Sequence, residues 1–133
     1  MSNTVDITGY RYLGSKLNHS HDYLLPTVLD LLSAAELGVS EKRLFELGCG
    51  NGSVANLLTS CGWEVTGVDP SSEGIKHAKE AYPELRLETG SAYDDLCRLY
   101  GQYPVVLSLE VVEHVYAPRD YARTLFDLTR DGG

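Results

Sequence analysis

Two hydrophobic periods run along this chain. In the first, Leu24, Leu25, Val28, Leu29, Leu31, Leu32 and Ala35 recur at helical spacing. That stripe predicts a helix over residues 20–37, capped by Ser20 or Asp22 and stopped at Gly38. Pro26 suits the first turn of such a helix better than its interior. A strand pattern follows at 43–47 and runs straight into Gly48-Cys49-Gly50-Asn51-Gly52. A helix to about residue 60 comes next, ended by Cys61-Gly62. Residues 64–69 predict a second strand, stopped by Pro70. Ser71 or Ser72 caps a helix to about residue 82, with Ile75, Ala78 and Ala81 on one side, and Pro83 breaks it. Residues 85–89 alternate as a third strand, and 93–100 predict a short helix. The fourth strand, 104–109, is nearly all apolar, as a strand buried on both faces would be. Pro118 opens a last helix with Tyr121, Leu125, Phe126 and Leu128 inward, closed by Asp131-Gly132-Gly133.

Strands alternating with helices at this spacing predict an α/β fold: a doubly wound, Rossmann-like parallel sheet with helices on both faces. A ligand then belongs at the carboxyl ends of the strands, near the point where strand order reverses. One domain accounts for the chain: a lead-in over 1–18, an N-terminal helix over 20–37 and an α/β core over 43–133. The fourth strand would form an open sheet edge, which invites pairing with another chain. The expectation is a fragment of a longer protein, a dimer covering that edge, or an unstable product, with the fragment favoured.

Composition narrows the partners. The chain has 133 residues, 19 acids against 11 Lys and Arg, and a formal charge of −8. A surface this acidic disfavours nucleic acid and anionic membrane. Cys49, Cys61 and Cys97 lie far apart with no C-x-x-C pair, which reads as reduced thiols in a cytoplasmic protein. The first ten residues carry no signal-peptide pattern, and no apolar run approaches the ~18 residues of a membrane span.

The chemistry concentrates at the glycines. Each removes a side chain where backbone or ligand must come close. The spacing Gly48-x-Gly50-x-Gly52 differs from a dinucleotide G-x-G-x-x-G, because residue 53 is serine. Glu46 stands just before the turn, where a phosphate would be repelled and a cation welcomed. Asp69, at the end of the second strand, suits two hydrogen bonds from vicinal ribose hydroxyls.

At these residues the sequence resembles the class I S-adenosylmethionine-dependent methyltransferases. Glu46-Leu47-Gly48-Cys49-Gly50-Asn51-Gly52 is similar to their first motif and Val68-Asp69-Pro70-Ser71 to the second. Gly90-Ser91-Ala92 falls at the third, although the family more often has an acid at the position of Ser91. Residues 107–115, Leu-Ser-Leu-Glu-Val-Val-Glu-His-Val, resemble the fourth, and look most like the ubiquinone-biosynthesis O-methyltransferase branch. The resemblance covers about residue 20 to the last residue. It implies the cofactor half of the fold, truncated after the fourth strand and following helix. It further implies S-adenosylmethionine as cofactor and a small-molecule methyl acceptor. Glu46 would face the amino group of the cofactor, Asp69 the ribose, and Ser91 and Ala92 the adenine, with Pro70 also among the cofactor-binding residues. The turn Gly48, Cys49, Gly50, Asn51 and Gly52, with backbone at Leu109 and Glu110, would flank the methionyl part.

Three secondary expectations remain. Glu110-x-x-Glu113-His114 has the residue types to ligate Mg²⁺, while His114 alone suits a general base or a group that positions the acceptor hydroxyl. His19-x-His21 reads as exposed polar sequence rather than a metal pair, and His77 as solvated surface. Tyr10, Tyr12 and Tyr23 form either a lid or aromatic packing on the sheet edge. The alternative functions are a cofactor-binding module without catalysis and, more weakly, an NAD-dependent oxidoreductase.

Overall fold

The computed structural model describes residues 19–133, and the side chains of residues 23–133. The expectations for Tyr10 and Tyr12, and for the side chains of His19 and His21, lie outside that range. Four strands form one parallel sheet in the order β3-β2-β1-β4. They are β1 (Arg43–Leu47), β2 (Glu64–Asp69), β3 (Arg86–Thr89) and β4 (Val105–Leu107). The helices are α1 (His19–Glu36), α2 (Ser53–Ser60), α3 (Ser72–Ala81), α4 (Leu96–Tyr100) and α5 (Pro118–Leu128), with a 3-10 turn at Val112–His114.

The pleat of β1 sets the layers. Successive strand residues point to opposite faces. Leu44 packs with Val54, Leu58, Trp63 and Ile75 beneath α1, α2 and α3. Phe45 and Leu47 pack with Leu96, Tyr121 and Leu128 beneath α4 and α5. Glu46 therefore falls on Leu44's side, opposite Gly67 of β2 and Leu107 of β4. Each large side chain fully buried this way is worth about 1.5–3 kcal/mol. From β1 the sheet grows to β2 and β3 on one side, then β4 returns to the other. That reversal places the switch point at the end of β1, where the glycine turn begins.

Several local expectations are corrected. Pro26 lies inside α1, not in its first turn. It is exposed there, on the face of α1 away from buried Leu25 and Val28, where a proline costs no core packing. Phe126, read as inward, is 78% exposed. Thr124 takes the inward place instead, its hydroxyl donating to the Ala92 carbonyl at 2.6 Å. The helix read over 93–100 starts later, because Asp95 is its N-cap and accepts from the Arg98 amide at 3.3 Å.

The fourth strand ends at Leu107 rather than residue 109. Past it, the Ser108 hydroxyl replaces a strand amide and donates to the Leu47 carbonyl at 2.9 Å. β4 is half-buried along its length, in contrast to the buried β1, as an edge strand should be. At its foot, the chain after α5 makes a single parallel bridge from Thr129 to Tyr103.

Candidate cofactor site

Glu46 is the most unusual side chain of the site. It is 2% exposed, and its Oε1 has no hydrogen-bond partner. Burial first, and then the charge of Asp69, push its carboxyl up from 4.5 to about 8. Removing a carboxyl from water disfavours its charged form, and a nearby like charge adds to that. The Cys49 thiol is raised by burial too, and then by the charges of Glu46 and Asp69, which leaves it unreactive. Its side chain serves as packing beside Gly67.

Asp69 is held differently. Its Oδ2 accepts from the Gly50 amide at 2.8 Å and its Oδ1 from the Ser71 amide at 2.9 Å. These bonds fix the carboxylate between the glycine turn and the start of α3, where Ser71 caps the helix by accepting from the Gly74 amide at 3.0 Å. An ionised carboxylate oxygen has room for more than one donor, so both retain acceptor capacity. The turn itself is anchored to β2, because the amides of Gly48 and Cys49 both donate to the Val68 carbonyl, at 2.8 and 3.0 Å. Asn51 Oδ1 accepts from the Ser53 amide at 3.1 Å, at the entrance to α2.

Glycine is required at two places in the turn. At Gly48, φ is 91° and a Cβ would lie 2.4 Å from Val111 Cγ2. At Gly52, φ is 84° and a Cβ would meet Leu87 at 2.8 Å and Ala78 at 3.1 Å. The first contact brings the loop after β4 down onto the turn. That loop pivots at Glu110, whose φ of 56° is left-handed. A non-glycine residue held this way costs about 1–3 kcal/mol.

Two cavities meet at Gly48. One, of about 260 Å³, is lined by Glu46, Gly48, Cys49, Gly50, Asn51, Val54 and Leu109. The other, of about 370 Å³, is lined by Leu47, Gly48, Pro70, Ser91, Ala92, Tyr93, Val111, His114, Val115 and Tyr116. The first holds a buried acid and the second is mainly apolar. Asp69 stands at the strand end beside both, bonded to Gly50 of the first cavity and one residue before Pro70 of the second. The fold thus collects all twelve residues read as the cofactor site around one strand-end region, with Gly52 buried behind the turn and Glu110 at the loop pivot.

The metal expectation fares worse. Among the described residues, no group of three or more His, Cys, Asp or Glu side chains is placed to hold a metal ion. Glu110 is exposed, and Glu113 Oε2 lies 4.0 Å from His114 Nε2 without a third partner. The left-handed turn at Glu110 breaks the run, so spacing in sequence does not become convergence in space. The Mg²⁺ assignment to Glu110, Glu113 and His114 is therefore unsupported. His114 itself lines the apolar cavity and is largely exposed. His77 is exposed as expected, and Tyr23 is 86% exposed rather than packed.

Sequence reading missed Tyr93, Val111, Val115 and Tyr116. Tyr93 is the organiser among them. Its hydroxyl accepts from the amides of Tyr116 at 3.0 Å and Ala117 at 3.4 Å, and its ring meets that of Tyr116 at 4.7 Å. The partners are more than twenty residues apart, so no local pattern signals the pairing. A larger cavity, about 660 Å³ between residues 95–102 and 125–133, contains none of the residues read as functional.

Comparison with known proteins agrees with this architecture. The fold is that of Rossmann-like methyltransferases: the plantazolicin methyltransferase BamL, solved with SAH, superposes with a TM-score of 0.71 at 19% identity. That match covers 85% of this chain and 43% of that one. The family described as Methyltransferase domain matches residues 17–133, and this chain belongs to it. Among relatives, the ubiquinone biosynthesis O-methyltransferase of Caulobacter sp. (strain K31) is 38% identical over 95 residues, covering 68% of this chain and 38% of the relative. The enzyme of the same name from Aeromonas salmonicida (strain A449) is 32% identical over 112 residues, covering 81% and 47%. The chain thus spans less than half the length of these two relatives.

Proposed function

We propose that this chain binds S-adenosylmethionine across the two adjoining cavities, and that the protein it represents methylates an oxygen of a small molecule. The observation that carries the reading is the buried carboxyl of Glu46 in the polar cavity, whose Oε1 has no hydrogen-bond partner. A pyrophosphate at this turn would meet the charge of Asp69 and would hold the buried Glu46 carboxyl protonated and unpaired, with nothing gained from it. An ammonium group there would be attracted. Glu46 would face the amino group, with Gly48, Cys49, Gly50, Asn51 and Gly52 giving backbone access and Leu109 and Glu110 flanking the same part. Asp69 would accept from the ribose hydroxyls. Pro70, Ser91 and Ala92 would border the adenine in the apolar cavity, together with Val111 and Val115. When bound, the cofactor supplies a methyl group on a sulfonium, ready for displacement. This chain's contribution is to hold it, and His114 would orient the acceptor hydroxyl or take its proton. That two relatives are ubiquinone biosynthesis O-methyltransferases supports O-methylation.

Isothermal titration with S-adenosylhomocysteine and with NADH tests the cofactor reading. Saturable one-to-one binding of the first, and none of the second, is expected. The reverse result would assign the site to nicotinamide chemistry. Labelled S-adenosylmethionine offered with a catechol panel then separates a methyltransferase from a module that only binds.

A further inference from the structure

We infer that cofactor binding at this site is coupled to proton release: the Glu46 carboxyl is neutral in the ligand-free protein and gives up its proton when an ammonium group enters the cavity. This rests on the cofactor reading above and adds a property of the site. The geometry behind it is a contrast between two acids in one pocket. Asp69 has a backbone amide on each oxygen and is held as an acceptor. Glu46 is buried, and its Oε1 finds no donor from β2, β4 or the glycine turn. A carboxylate left in that state is costly, whereas a neutral carboxyl is tolerated.

Among the described side chains no cation acts on Glu46: Asp69 at the end of β2 is the charged group that does, and Glu46 in turn acts on the Cys49 thiol in the turn. β4 and α2 carry no titratable side chain, and Tyr23, Asp30 and Glu36 of α1 stand exposed. Past β4, Leu109 lines the same cavity, and its neighbour Glu110 is exposed. The burial that pushes Glu46 up to about 8 is therefore unopposed until a positive ligand arrives.

The step balances simply. A Glu46 carboxylic acid and a ligand ammonium become a carboxylate–ammonium pair, and one proton passes to the buffer. No covalent bond other than that O–H changes. Affinity should then rise with pH while Glu46 is protonated in the free protein, up to roughly tenfold per pH unit between about pH 6 and 7.5, and flatten near 8.

Calorimetric titration of S-adenosylhomocysteine at pH 6.5, in phosphate and in Tris, reads the protons released directly from the difference in apparent enthalpy. About one proton per ligand is expected. 5′-Methylthioadenosine, which keeps the nucleoside but lacks the amine, should bind with none. In Glu46→Gln, release with S-adenosylhomocysteine should vanish. Binding of S-adenosylhomocysteine without proton release in the unmodified chain would overturn the coupling while leaving the cofactor reading intact. Equal release by 5′-methylthioadenosine would also overturn it, by moving the proton away from the amine. Failure of S-adenosylhomocysteine to bind at any pH would overturn the cofactor reading and the coupling with it.

Discussion

A methyl group at residue 48 tests how the turn and the loop after β4 hold each other. In Gly48→Ala the new Cβ would lie 2.4 Å from Val111 Cγ2, well inside contact distance. Overpacking of this kind costs about 1–3 kcal/mol. The backbone adds a second cost, because φ is 91° there and alanine held at positive φ loses roughly 1–3 kcal/mol. The expected destabilisation is their sum, about 2–6 kcal/mol, a large share of a small domain's stability. The two parts separate by mutation. Val111→Ala removes the methyl groups that collide but leaves φ unchanged. In a double-mutant cycle the pair should recover about 1–3 kcal/mol relative to additivity. Urea denaturation followed by tryptophan fluorescence gives all four stabilities, since Trp63 is buried and reports global unfolding. A Gly48→Ala protein as stable as the parent, or a cycle with no coupling, would refute the claim that this contact fixes the loop.

Three further outcomes follow from the site. Glu46 has a raised carboxyl, so its contribution favours the folded state below about 4.5 and is lost as pH rises through about 8. Relative to Glu46→Gln, ligand-free stability should therefore fall by about 1.4 kcal/mol per pH unit over that window, with water entering the open cavity making this a ceiling; a pH-independent difference in urea titrations contradicts it. Asp69→Ala should weaken S-adenosylhomocysteine binding at least about tenfold by calorimetry, the loss of one charge-assisted hydrogen bond or more. Tyr93→Phe removes the acceptor for the Tyr116 and Ala117 amides and should cost about 0.5–1.5 kcal/mol locally; hydrogen exchange at Tyr116 should quicken while that at Leu44 stays slow.

What the sequence made legible was whatever depends on local period and punctuation. β1, with four of its five residues buried, reads as a strand because an apolar run meets a glycine turn. Ser71 and Pro118 start their helices as capping and proline rules require. The twelve residues read as a cofactor site come together because strand ends of a parallel sheet lie side by side. Other features depend on contacts far apart in sequence. Phe126 was assigned inward on hydrophobicity, but the inward face of α5 is set by Thr124 reaching the Ala92 carbonyl. Pro26 is tolerated mid-helix because its face is solvated, which no single residue announces. The metal expectation stays unsupported: Glu110, left-handed at φ 56°, Glu113 and His114 are all exposed, and they do not form a group placed to hold an ion. Tyr93 and Tyr116 build the wall of the apolar cavity from segments that nothing local connects.

In the proposed binding mode one ligand spans the glycine turn, Asp69 and the apolar cavity. A two-dimensional ¹⁵N NMR titration with S-adenosylhomocysteine tests it most directly, since the turn's glycine amides fall in their own spectral region. Saturable shifts with a common affinity are expected at Gly48, Gly50, Gly52, Ser71 and Ala92, and none at Gln102, Thr129 or Gly132 beside the larger cavity. Shifts confined to that larger cavity, or a glycine turn that does not respond, would contradict it.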